Sequence, residues 1–591
     1  MKHFAYSISI SLVTAFLFQG CVAENSEEQD KGEGNIVPYT AGSRIAWDYS
    51  TRQKVYDGQA FYPRIIRLED GSLLAAFESE GAVLVTKSID DSKSWQEIIK
   101  AADSEKGINA AVPELIQLKN GHILLAYNTR PPQNNQDQEK KFGIKIKISE
   151  DRGQTWGDEI NIYEGGHEWS RGVWEPAMIQ LSSGEIHLFF ANEHPYENND
   201  DQEISLTRSS DNGLTWSEPK TVSYRQGHRD GMPVPLILQD EKGIVAAIED
   251  NGLYGNTFKP AILTIAVDEN GPEEIITGDS DRRWGALSES RQILASSYGG
   301  APYLRQLKTG ETVLSFQTNE GRAGEWGNST MAVAIGDNEA KNFSKISEPF
   351  EVPEGKSALW NSLFIKNDTT VTAISSTNAF SSSAQSEFYI IEGYLNPDLQ
   401  APYGEIEING DKNENTWQQS ARNFLGAYSE ANLSVQPAWN EENLYLSFSA
   451  NGINTELAGK VRVEDDPGIF ITLATRMLEK DEPEKGSYKI KISSTEEPMA
   501  FEGNAGNWQE LEMKVFVETR LKDPEIPGKG YTMELAIPWD QIGGIPKQET
   551  AWGINIGFIN RQSNSTQLHK EVLSGTEENK PSTWAKVQFK R

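Results

Sequence analysis

The chain has 591 residues, room for two or more domains, and its 55 Lys plus Arg stand against 87 Asp plus Glu, a formal net charge of −32. That acidic balance offers no basic field to a phosphate backbone and argues against nucleic acid as a partner. With 37% hydrophobic residues, 50 Gly, 15 Trp, 19 Tyr and 22 Phe, the composition is that of a turn-rich, folded β protein and not of a disordered chain.

Residues 1–21 begin Met-Lys-His, run apolar from Phe4 to Phe18 and end Gln19-Gly20-Cys21, where the single cysteine of the chain stands. The run is too short for a stable membrane span and suits the apolar region of an export signal. It resembles a bacterial lipoprotein signal, which implies lipidation of Cys21 and an outer-membrane anchor, surface-exposed or periplasm-facing. A chain lipidated there has no disulfide and relies on core burial for stability. Residues 22–42 include the acidic positions Glu24, Glu27, Glu28, Asp30 and Glu33 and read as a flexible tether. The tether is similar to the acidic stretch of surface lipoproteins in Bacteroides-like bacteria.

A strand, tight turn and second strand then recur: 62–78 (YPRIIRLEDGSLLAAFE), 112–128 (VPELIQLKNGHILLAYN), 174–192 (WEPAMIQLSSGEIHLFFAN), 232–249 (MPVPLILQDEKGIVAAIE), 301–317 (APYLRQLKTGETVLSFQ) and a worn copy at 360–375. Each clear copy turns at a glycine (Gly71, Gly121, Gly184, Gly243, Gly310), and Pro63, Pro113, Pro176, Pro235 and Pro302 each stand eight residues before it. The common offset sets a common register, so equivalent residues should point into equivalent space. Copies about 50 to 67 residues apart leave room for a four-stranded blade each and predict a six-bladed β-propeller over residues 43–397.

Three segments, SIDDSKSW (88–95), SEDRGQTW (149–156) and SSDNGLTW (209–216), follow strands at the same offset. They are similar to the Asp boxes of sialidase-like propellers. In physical terms the Asp accepts from turn amides while the Trp tucks beneath the blade, so the box is a fold staple rather than chemistry.

Past Asn396-Pro397-Asp398 the pattern changes, and alternating apolar positions in 438–450, 531–543 and 551–560 predict a β-sandwich over 401–591. The opening DG-like turn with its Trp, the W-x(4)-LY strand and the E-x-x-IPW strand resemble the family 9 carbohydrate-binding modules. Trp417, Trp439, Trp539, Trp552 and Trp584 are read either as sugar contacts or as core.

In a propeller the starts of the innermost strands surround a central funnel, so residues beside the aligned prolines are the first candidates for a site. The acids there are Glu114 and Glu175; Glu78, Glu193 and Glu249 with Asp250 stand at the ends of second strands. Most carboxylates of an acidic protein are merely solvated, but context separates two. Glu175 lies between Trp174 and Pro176, a packing that would desolvate its carboxyl and raise its pKa, as suits a general acid. Glu249 leaves the end of an apolar strand just before Asp250-Asn251-Gly252. One protonated and one ionised carboxyl are what glycoside hydrolysis needs.

The stretch GVWEPAMIQLSSGEIHLFFANE (172–193), the following Asp box, HRDGMPVPLI (228–237) and AAIEDNG (246–252) resemble glycoside hydrolase family 93. That resemblance implies a retaining, exo-acting α-1,5-L-arabinanase that releases arabinobiose from linear arabinan, with Glu175 as acid/base and Glu249 as nucleophile. Tyr62, Trp174, Tyr303 and Trp360 are candidates to stack on a sugar, and Arg64 and Asp230 to bond its hydroxyls. A sialidase-like exo-glycosidase for acidic sugars stays open if Arg64, Arg229 and Arg305 converge on a carboxylate, although Tyr62-Pro63-Arg64 places the Arg on the other side of the proline from the sialidase Arg-Ile-Pro. A surface glycan-binding protein without catalysis is the third reading. Seven scattered His and no Gly-rich loop opening a helix argue against a catalytic metal and a nucleotide cofactor; no cofactor is expected, and a structural calcium stays open.

Overall fold

The computed structural model describes residues 44–591 except 240–242, 269–270, 290–291, 309, 368–369, 383, 397–398, 421, 427–431, 452–467, 476–481, 494–497, 523–529, 547–550, 562–567, 574–580 and 582–583. The signal segment, Cys21 and the tether lie outside the described residues.

Six four-stranded antiparallel sheets are built from the residues between 44 and 396. The inner two strands of each are a repeated hairpin: Phe61–Arg67 with Leu73–Ser79, Asn109–Gln117 with Ile123–Arg130, Val173–Gln180 with Ile186–Asn192, Asp230–Ile237 with Ile244–Asp250, Gly299–Gln306 with Thr312–Thr318, and Ala358–Asn367 with Thr370–Thr377. The turn glycines all have positive φ, from 83° at Gly71 to 145° at Gly243, a region open to Gly at no steric cost. The worn sixth copy is thus a true blade. Its outermost strand, Arg44–Tyr56, comes from the front of the chain and pairs antiparallel with Glu387–Asn396. The ring therefore closes on a hydrogen-bonded ladder between its first and last strands, and cannot open without breaking it.

Second strands such as Leu73–Ser79 and Ile186–Asn192 are buried along their whole length, because blades pack face to face. One core cluster joins Leu74 and Val85 of blade one to Leu115, Leu125 and Tyr127 of blade two. The Asp boxes brace these faces. Asp211 accepts the Thr215 N–H at 2.9 Å and its hydroxyl at 2.6 Å, while the Ser209 hydroxyl accepts the Gly213 N–H. Asp90 and Asp151 repeat the arrangement, and the hydrogen bonds hold Asp90 down at about 2. Trp156 packs into the cluster shared with blade one, so the box is a wedge between blades.

The expected register slips in blade four. The inner-strand bulge falls between Gly231 and Val234 there and between Phe61 and Arg64 in blade one, so Pro233, and not Pro235, is the equivalent of Pro63. The turn to Gly243 is two residues longer in that blade, which misleads an alignment counted back from the glycine.

Beyond residue 398 an eight-stranded and a five-stranded sheet enclose one core. Trp439, Trp539 and Trp552 pack edge to face around Phe589, and Trp417 and Trp584 are also buried. All five are core, and the sugar-contact reading of them is set aside. Glu534 of the E-x-x-IPW strand, fully buried, accepts N–H groups from Asn409, Gly410 and Lys412 and the Trp417 indole N–H at 2.9 Å. One carboxylate thus ties the opening turn to a central strand, which is why these motifs travel together in the sequence.

Candidate active site

Six non-glycine residues with positive φ mark the inner strands: Tyr62 (50°), Val112 (50°), Glu175 (43°), Met232 (48°), Ala301 (46°) and Trp360 (54°). Each stands in a bulge at the same place in its blade. Such backbone costs of order 1–3 kcal/mol per residue and persists only where the surroundings over-determine it. Here it turns one side chain per blade toward the axis. Tyr62, Val112, Met232 and Ala301 pack into a single apolar cluster with Trp360 against it, so the ring closes the funnel with a floor. The sixth member, Glu175, brings the only carboxyl into an otherwise apolar ring.

Glu175 is half-buried, and burial, the charge of Glu249 and the charge of Glu193, in that order, push it up to about 8 against the pull of Arg229 and Arg130. It holds its proton at neutral pH. Glu249 closes the second strand of blade four. Its Oε2 accepts the Ala301 backbone N–H at 2.9 Å and the Tyr298 hydroxyl at 3.3 Å. Burial raises it, while Ala301, Arg229 and Tyr298 draw it back down.

The same place in other blades shows what sets Glu249 apart. Gln317 of blade five accepts the Trp360 N–H at 2.8 Å, and the Val112 N–H draws the pKa of Glu78 of blade one down. Holding the next blade's floor residue is therefore a repeated structural task. Glu78, however, is neutralised by an ion pair to Arg130, and Glu193, two residues past the equivalent place Ala191 in blade three, by one to Arg229 with Gln202 at 3.0 Å. Glu249 forms no ion pair among the described residues. A carboxylate positioned by two neutral donors and not bound in an ion pair keeps its nucleophilicity.

The structure brings Tyr62, Trp360, Glu175 and Glu249 together: Tyr62 stacks on Trp360 at 4.5 Å between ring centroids, and the charges of both glutamates act on its phenol. Five other candidates do not join them. Arg64 is buried against Glu114 at 3.1 Å, the Tyr303 hydroxyl donates to the same carboxylate, and Arg305 lies 4.2 Å over the Tyr303 ring. These residues sit two or four positions further along the inner strands than the floor residues and stack on one another. Asp230 is fully buried and bonded by both terminal nitrogens of Arg283, at 2.5 and 2.7 Å, so no sugar hydroxyl reaches it. Trp174 turns to Phe142 (4.7 Å) and Trp169 (5.2 Å) and packs against the cores on both sides of its blade. Since Arg64, Arg229 and Arg305 are engaged by Glu114, Glu193 and Tyr303, the three-arginine clamp is not assembled.

Two residues of the site escaped the sequence reading, Tyr298 and Trp326. Tyr298 had a signal: it precedes Gly299-Gly300, and a Cβ on Gly300 would stand 2.4 Å from Glu249 Oε2 and 2.3 Å from the Tyr298 hydroxyl. A glycine inside a strand marks such a close approach. Trp326 lies in a loop without periodicity.

A family model described as a BNR repeat-like domain matches residues 132–248. No curated protein matches the chain. Among solved structures, the family GH93 α-L-arabinofuranosidase of Fusarium graminearum in complex with arabinobiose is similar at 17% identity and a TM-score of 0.44, over 60% of this chain and 97% of that one. An α-L-arabinanase of Penicillium chrysogenum, also with arabinobiose, is similar at 18% and 0.43, over 60% and 98%. A family 9 carbohydrate-binding module from Caldicellulosiruptor kristjanssonii in complex with cellotriose is similar at 14% and 0.27, over 32% of this chain and 93% of that one. The class defined by fold and site is a six-bladed β-propeller, similar over residues 132–248 to BNR repeat-like domains, with a pair of unlike carboxyls on its inner strands, joined to a β-sandwich.

Proposed function

We propose that the protein is a retaining exo-glycosidase that acts on plant cell-wall arabinan and releases arabinobiose or a similarly short product from chain ends. The observation that carries the reading is the pair Glu175 and Glu249, one proton-bearing to about pH 8 and one without an ion pair among the described residues, beside an apolar floor. Glu249 attacks the anomeric carbon while Glu175 gives its proton to the leaving oxygen. Glu175, now ionised, takes a proton from water as that water releases the sugar from Glu249, which restores both groups. The floor admits a chain end and stops it, which supports exo action. The arabinan substrate and the retaining course come from the sequence resemblance around Glu175 and Glu249. The engaged arginines leave a sialidase reading without its carboxylate clamp. In this proposal lipidated Cys21 anchors the protein at the outer membrane, and the sandwich adds a glycan-binding appendage.

The test is incubation of the protein with linear α-1,5-arabinan and, in parallel, sialyllactose, with chromatography of the products. A single short arabinose product, lost in Glu175→Gln and in Glu249→Gln, supports the reading; free sialic acid, or no product from either substrate, rejects it.

A further inference from the structure

Between the second and third strands of blade five, a loop carries Trp326 with 47% of its surface exposed. Its indole presents an apolar face with a polar N–H at one edge, the surface on which a sugar ring stacks. It is not loose. The Arg322 guanidinium donates to four backbone carbonyls, those of Asn328 (2.7 Å), Val352 (2.8 Å), Pro353 (3.0 Å) and Lys356 (2.9 Å). The Asn319 and Asn328 side chains donate to the Gly324 and Ala323 carbonyls within the same loop. Trp326 is thus held open on a pre-ordered support, which spares the ordering entropy of binding.

Its position continues the site. The Trp326 ring lies 5.7 Å from Trp360 and 6.5 Å from Tyr298, tilted to both. Trp360 stacks on Tyr62 at the floor, and Tyr298 bonds Glu249. One aromatic wall therefore runs from solvent to both carboxyls. The charge beside it selects against anions: Glu320 and Glu325 flank the loop, and its one arginine is spent on carbonyls.

We propose that Trp326 is an outer sugar subsite, which stacks on the ring just past the scissile bond of a neutral oligosaccharide whose two released rings lie against the floor, the second of them between Glu175 and Glu249. The proposal rests on the hydrolase reading for the place of the released rings. Its test is binding, measured by calorimetry on the turnover-blocked Glu175→Gln protein with and without Trp326→Ala, using α-1,5-linked arabinose oligomers of increasing length from the monosaccharide, and sialyllactose. The expected result is about a tenfold loss for the trisaccharide and longer oligomers, none for the monosaccharide or the disaccharide, and recovery in Trp326→Phe. Equal losses at every length, no loss at any length, no binding of any oligomer by either protein, or a loss confined to sialyllactose overturns it. A length-dependent loss in a protein whose wild-type chain cleaves nothing rejects the hydrolase reading and keeps the subsite.

Discussion

The Ala301 backbone N–H donates to Glu249 Oε2 at 2.9 Å, so a carboxylate carried by blade four is held by the floor of blade five. The approach is close enough that the neighbouring residue must lack a side chain. A Cβ on Gly300 would meet Glu249 Oε2 at 2.4 Å, and either the carboxylate or the strand must move. Gly300→Ala should cut kcat/KM by roughly a hundredfold, because misplacement of a reacting group by an ångström is expensive. Its melting temperature should stay within a few degrees of the parent. Full activity in this variant would show that Glu249 is not held where the reaction occurs.

The titration of Glu175 gives a second prediction. Its folded pKa is about 8 against an ordinary 4.5, so the alkaline limb of the pH–rate profile should fall near pH 8, and Glu249, raised above its ordinary value, should set the acid limb. The same shift bears on stability. The folded chain keeps between pH 4.5 and 8 a proton that the unfolded chain releases, so this group's contribution is full below 4.5 and declines as pH rises to 8. Glu175→Gln removes the decline. The variant should melt with the parent at pH 4 and a few degrees above it at pH 8; parallel melting curves at all pH values would contradict the assigned shift.

Tyr298 should tune the acid limb. Its hydroxyl donates to Glu249 and lowers that pKa, and a hydrogen bond to a charged group is worth about 1.5–3 kcal/mol. Tyr298→Phe should therefore move the acid limb up by roughly one pH unit and leave the alkaline limb in place. A uniform loss across pH would mean that the phenol merely packs.

How much of this was legible in the sequence depended on whether the determining contacts were local. The six hairpins were, because Pro, turn Gly and apolar alternation repeat within each copy, and so was Glu175, whose neighbours Trp174 and Pro176 mark its exceptional backbone. Glu249 was legible as a strand end. Its difference from Glu78 was not, since that rests on Arg130 forming an ion pair with one and no ion pair to the other among the described residues. The bulge after Tyr62 carries Arg64 away from the floor, and nothing in Tyr62-Pro63-Arg64 announces that Glu114 and Tyr303 wait there, 50 and 239 residues away. Closure of the ring by Arg44–Tyr56 is likewise a property of the whole chain.

Asp230 separates a structural from a sugar-binding role most cleanly, because the two predict opposite observables. It sits two residues before Met232 of the floor ring, which made it a candidate contact for a hydroxyl. Yet it is fully buried, accepts from the Ser223 hydroxyl at 2.8 Å, and shares Arg283 with Asp250, which bonds the same guanidinium at 2.7 Å. Removing Asp230 leaves Arg283 only Asp250, which Arg225 also pairs at 3.3 Å, and such a break in a buried ion network costs about 3–5 kcal/mol. Asp230→Ala should thus lower the melting temperature by roughly 10 °C. Below its melting range the KM for an oligosaccharide should be unchanged, and any loss of kcat should follow Glu249, which stands beside Asp250 in the chain. A raised KM with unaltered melting would return Asp230 to the substrate.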